Sequence, residues 1–127
     1  MRKDYKYLIF DADHTLIDFD ADVERAFHKA LAAIGRDEPA VLRTCVDFDN
    51  GNWDRIGLSD VHSPEVQARF HELYRAHVRA IFEHAGAVHG FLSQARQTEE
   101  TFNREFCAPA HFIEGARETV EKLSKKY

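Results

Sequence analysis

The chain opens on a short apolar run, Tyr5-Lys6-Tyr7-Leu8-Ile9-Phe10, that stops abruptly at Asp11. Apolar and aromatic residues in so short a run, closed by a polar loop, predict a buried strand of a parallel sheet. No other stretch carries a convincing strand pattern. Beyond it, apolar positions recur at helical spacing. Val23, Ala26, Phe27, Ala30, Leu31 and Ile34 form one apolar face. Asp20 is the expected N-cap of that helix, Asp22 and Glu24 lie in its first turn, and Gly35 is the expected stop. A second, weaker helix is expected from Pro39 to about Val46, with Asp49-Asn50-Gly51-Asn52 as a turn. Ser63-Pro64 starts the longest helix, serine as cap and proline at the first helical position. Its buried stripe is Val66, Phe70, Leu73, Tyr74, His77, Val78, Ile81 and Phe82. Gly86 and Gly90 break the pattern. Another helix is expected from about Phe91 to Phe106, Pro109 interrupts, and a last helix runs from about Gly115 to Tyr127.

One strand followed by four or five helices is an α/β order with a structural problem. A single buried strand leaves its backbone amides and carbonyls unpaired and is not stable alone in water. Its partners are therefore expected in sequence outside these 127 residues, or in another chain.

Composition mainly excludes. At 44% hydrophobic and 31% charged residues the chain is too apolar for a disordered protein. A net charge of −5 argues against a nucleic-acid or membrane binder, which needs a basic face. It leaves room for a small phosphorylated metabolite held by a metal and a few backbone amides. Cys45 and Cys107 lie far apart without metal-type spacing and read as reduced thiols. No segment approaches the ~20 apolar residues of a membrane span, and no signal peptide is evident, so a cytoplasmic location is expected. His71, His77, His84 and His89 lack the i, i+4 spacing of a helical zinc site and read as scattered surface or half-buried residues.

Chemistry concentrates in Leu8-Ile9-Phe10-Asp11-Ala12-Asp13-His14-Thr15-Leu16. Two carboxylates two residues apart, just past a strand end, share one small space. At the C-terminal edge of a sheet they would face the crevice where α/β proteins bind ligands. Such a pair attracts magnesium, which favours one or two carboxylates together with water and phosphate oxygens. One carboxylate can attack phosphorus while its neighbour handles the leaving-group proton. A bound cation screens the repulsion between the two anions. Phe19, Phe48 and Trp53 are candidates to stack on a base, and His14 could touch substrate from within the loop. The acidic series Asp18, Asp20, Asp22 reads as a solvated helix start.

The run Asp11-Ala12-Asp13-His14-Thr15 behind an apolar strand resembles the first motif of the haloacid dehalogenase (HAD) superfamily. The resemblance implies that Asp11 is the nucleophile and Asp13 the general acid/base. It implies a magnesium ion held by Asp11 and the backbone carbonyl of Asp13, and a loop steadied by Thr15, with Ala12 between the two carboxylates. An aspartate at position 13 points to phosphate esters. Phe112-Ile113-Glu114-Gly115-Ala116, followed by Val120 and Leu123, resembles the return from a helical (C1-type) cap. On that resemblance, residues 1–17 are the first core strand and catalytic loop of a Rossmann-type core. Residues 18–108 are the α-helical cap, and 109–127 the return helix. Leu16-Ile17-Asp18-Phe19 looks most like the pyrimidine 5′-nucleotidase branch. The family also uses a strand-end Ser or Thr for phosphate, a lysine, and a further acidic pair. All three would follow Tyr127, so a truncated chain, inactive alone, is expected. The rival expectation is a non-catalytic module that self-associates through its exposed strand.

Overall fold

The computed structural model describes residues 6–52, 54, 57, 60, 62–87, 92–108 and 110–127, with the side chains of residues 92 and 93 excepted. Five α-helices follow one another: α1 Phe19–Ala32, α2 Pro39–Asn52, α3 Pro64–His84, α4 Leu92–Phe106 and α5 Ala116–Ser124. The chain divides into two compact units, one of residues 1–22 and 107–127, the other of residues 23–106.

The 23–106 unit is helical, and its core is built on aromatic rings. Phe27 of α1 meets Phe82 of α3 edge-on at 5.8 Å and lies 4.6 Å from Phe102 of α4, centroid to centroid. Around them Ala26, Ala30, Leu31, Val78 and Ile81 are buried, and α3 packs against both α2 and α4. The predicted stripe of α3 is buried only over its C-terminal half. Val66, Phe70, Leu73 and Tyr74 are half-buried, and Phe70 and Tyr74 stack on each other at 6.0 Å.

Backbone caps explain where the helices stop. Gly35 sits at φ 69°, and Arg36 N–H and Gly35 N–H donate to the carbonyls of Leu31 and Ala32. This is the Schellman pattern, which a left-handed residue makes possible. Gly86, at φ 62°, repeats it at the end of α3, where Ala87 N–H and Gly86 N–H donate to Phe82 and Glu83.

Three local expectations change. The α1 cap is Asp18, whose Oδ1 accepts the Ala21 N–H at 3.1 Å, and Asp20 lies within the first turn. Helix α2 runs through the expected turn to Asn52. Its last turn is held by Asp49, buried against His77 of α3, and by the Asn52 side-chain amide donating to the Phe48 carbonyl. Finally, the expected opening strand does not form. Among the described residues there is no strand, only isolated bridges. Tyr7 and Ile9 are 83% and 97% exposed, and Leu8 and Phe10 are exposed as well. A strand is a property of a ladder, and a run with β propensity stays outside one where no second run lies beside it. The described residues are therefore mostly helical, as expected of one strand followed by four or five helices, with no α/β core among them, and Tyr5 of the same run lies outside the described residues.

Candidate active site

The Asp11–Ile17 loop is closed by its own backbone. The Ala12 carbonyl accepts the N–H groups of Leu16 and Ile17, both at 2.9 Å, and lies 3.4 Å from that of Thr15. The His14 N–H donates to Ile17 at 2.9 Å. One residue must turn against the usual handedness to close so tight a loop, and that residue is His14, at φ 56°. Asp11 Oδ1 accepts the Ala12 N–H at 3.0 Å.

The loop is then fastened to the returning chain. Ile17 lies opposite Phe112 in an antiparallel bridge. Asp18 N–H donates to the His111 carbonyl at 2.7 Å and Ile113 N–H to the Leu16 carbonyl at 3.0 Å. Phe112 and Ile113 thus lie beside Leu16 to Asp18. Gly115, at φ 77°, then turns the chain into α5.

Asp11, Ala12, Asp13, His14 and Thr15 thus share one loop, and all five are exposed. His14 and Phe19 meet ring edge to face at 5.8 Å. Trp53 lies outside the described residues. Phe48 stacks on His84 at 4.3 Å within the helical unit.

Two carboxylates in one loop match the donor set magnesium accepts, with the remaining positions left to phosphate and water. Among the described residues no group of three or more His, Cys, Asp and Glu side chains comes close enough to hold a metal. Asp11 and Asp13 are the loop's carboxylates that would hold such an ion.

Pattern reading missed two polar pairs. Asp22 was read as solvated, yet it is 5% exposed. Its carboxylate accepts from the backbone N–H of His111 at 3.1 and 3.2 Å, and His111 Nδ1 lies 2.6 Å from Oδ1. In the helical unit, His77 Nε2 lies 2.6 Å from Asp49 Oδ1, with His77 1% exposed. The only sequence signal for either is an aspartate or histidine on the apolar side of a helix. Cys45, one turn before Asp49, is fully buried. Burial first, and the Asp49 carboxylate second, push its thiol up to about 12. Both cysteines are free thiols, and Cys107 is exposed.

Over 72 residues the chain is 36% identical to the pyrimidine 5′-nucleotidase PynA of Streptococcus pneumoniae. The match covers 55% of this chain and 30% of that protein. This partial similarity supports a HAD-like relationship. No protein-family model and no solved structure matches the chain. Among the described residues no helix is long and apolar enough to cross a membrane.

Proposed function

We propose that this chain carries the nucleophile loop and helical cap of a HAD-type phosphatase acting on a small phosphomonoester, a pyrimidine nucleotide being the first candidate. The observation that carries the reading is the closed loop with Asp11 and Asp13 two residues apart, fastened to the Phe112–Ile113 return. The partial similarity to a pyrimidine 5′-nucleotidase supports both the reaction class and the substrate.

With one oxygen of Asp11 engaged by the Ala12 amide, Oδ2 is the oxygen to attack phosphorus. The P–O bond to the leaving alcohol breaks as the aspartyl-phosphate forms, and Asp13 gives its proton to the departing oxygen. Water then attacks the aspartyl-phosphate, Asp13 takes the water's proton, and inorganic phosphate leaves with Asp11 restored. Magnesium, when bound, supplies charge neutralisation between carboxylate and phosphate. Residues 7–10 would then stand as the first strand of a Rossmann-type core, with the cap over residues 18–108 and the return helix over 109–127. The protein would work in the cytoplasm. That chemistry also needs a lysine, a phosphate-binding hydroxyl and a further acidic pair, none of which is assigned among the described residues, so this chain by itself is expected to turn over little or nothing.

The test is magnesium-dependent phosphate release from an aryl phosphate and from pyrimidine 5′-monophosphates, with Asp11→Asn alongside. In parallel, manganese broadening of the amide resonances of residues 11–15 reports the metal directly. Broadening in the wild type that is lost in Asp11→Asn supports the reading, as does any turnover abolished by that substitution. Turnover that survives Asp11→Asn and chelator, or a wild type with neither turnover nor broadening, refutes it.

A second reading, a non-catalytic module that self-associates through residues 7–10, is favoured by the exposure of Tyr7 and Ile9. Light scattering against concentration separates it from a monomer.

A further inference from the structure

Asp22 is a buried carboxylate that His111 engages twice, through its backbone N–H and through its ring. Buried carboxylates cost free energy unless they are satisfied, so an arrangement of this kind is kept for what it holds in place. The two residues stand at the ends of the paired segments. Asp22 follows Asp18 by one helical turn, and His111 is the residue whose carbonyl receives the Asp18 N–H. One position further on, Phe112 faces Ile17, and Ile113 donates to Leu16. Ile17 in turn accepts from His14, which follows Asp13. Hydrogen bonds joined by the Ile17–Asp18 peptide link therefore run from the Asp22 carboxylate to the backbone beside the second aspartate.

We propose that Asp22 and His111 are positioning residues: their clamp fixes the register of residues 16–18 on 111–113 and thereby the placement of Asp11 and Asp13. As to why those two carboxylates must be held so, the inference rests on the phosphatase reading. The clamp itself does not. The loop's own turn, centred on the Ala12 carbonyl, sets its shape but leaves it with no fixed address on the rest of the unit. A two-segment pairing this short has few backbone bonds of its own, and such pairings are marginal without a side-chain brace.

The experiment is amide hydrogen exchange by NMR on the whole chain, comparing wild type with His111→Phe, His111→Asn and Asp22→Asn. Phenylalanine keeps the ring volume and removes the donor. Asparagine places a side-chain N–H close to where Nδ1 stands. With His111→Phe and Asp22→Asn, the amides of Asp18, Ile113 and His14 should exchange at least about tenfold faster, while those of α3 and α4 stay unchanged. His111→Asn should restore most of the protection. No acceleration in either disruptive variant overturns the proposal. So does acceleration confined to Asp18 and Ile113 with His14 untouched, since the clamp would then stop short of the loop. Equal acceleration in His111→Phe and His111→Asn also counts against it, because the donor would not be what matters. Manganese broadening at residues 11–15 supplies the second readout, and its midpoint should rise several-fold in His111→Phe. If the wild type shows neither broadening nor turnover, the phosphatase reading fails, and the clamp is still judged on exchange alone.

Discussion

Cys45 and Cys107 have the same side chain and opposite chemistry. Burial and the neighbouring Asp49 carboxylate hold the Cys45 thiol protonated far above neutral pH, up to about 12, so almost no thiolate is present to react. Cys107 is exposed. Iodoacetamide near pH 8 should therefore give a single adduct, on Cys107, by intact mass and peptide mapping. Cys45 should become labelled only when denaturant opens the helical unit. The sign of its pH effect follows from the raised value. The thiol favours the folded chain below its ordinary range near 9, and that contribution is lost as alkaline pH approaches about 12. Double labelling of the native chain would mean that Cys45 is not enclosed. The sequence alone spoke only for reduced thiols, since nothing in the spacing says which one is buried.

At the scale of elements, the glycines divide by backbone conformation. Gly35 ends α1 at φ 69°, with open space where a Cβ would stand, so the penalty of an alanine there is conformational rather than steric. Gly35→Ala is expected to destabilise the fold by about 1 kcal/mol. Gly51 sits inside α2 without a left-handed φ and also faces open space. Gly51→Ala is expected to stabilise by roughly 0.5–1 kcal/mol, because alanine loses less entropy in a helix. Urea denaturation of the two variants measures both, and a gain for Gly35→Ala or a loss for Gly51→Ala would contradict these backbone assignments. The same contrast explains what was read correctly here. Gly35 as a stop and Ser63-Pro64 as a start are local signals, and both hold. Asp49-Asn50-Gly51-Asn52 also looks local, as a turn, but His77 from another helix overrides it.

At the scale of the molecule, the 1–22 and 107–127 unit presents large apolar side chains to solvent. Tyr7, Leu8, Ile9 and Phe10 are exposed, and so are Phe112, Val120 and Tyr127. Lys6, Tyr7, Leu8, Phe10, Val120, Leu123, Ser124 and Tyr127 line a shallow groove of about 270 Å³. Apolar side chains with unpaired strand-forming backbone beside them favour association. The chain is expected to form dimers or larger species as concentration rises, with a charge at the most exposed position reducing this. Ile9→Lys should shift the light-scattering mass toward the monomer without changing far-UV circular dichroism, since Ile9 is 97% exposed. A wild type that stays monomeric at high concentration would sink the expectation.

The amino-acid sequence alone determined the helices and most of their ends, and it marked out the stretch Asp11–Thr15. These follow from periodicity, from capping residues and from a short motif, all of which act over a few positions of chain. The tertiary structure alone decided that residues 7–10 do not become a strand, that α2 continues to Asn52, and that Asp22 and Asp49 are buried against His111 and His77. A ladder or a buried carboxylate needs a partner from far along the chain, 28 residues away for Asp49 and 89 for Asp22. No local pattern of apolar and polar positions carries that information, because burying a charge depends on which distant residue arrives to receive it.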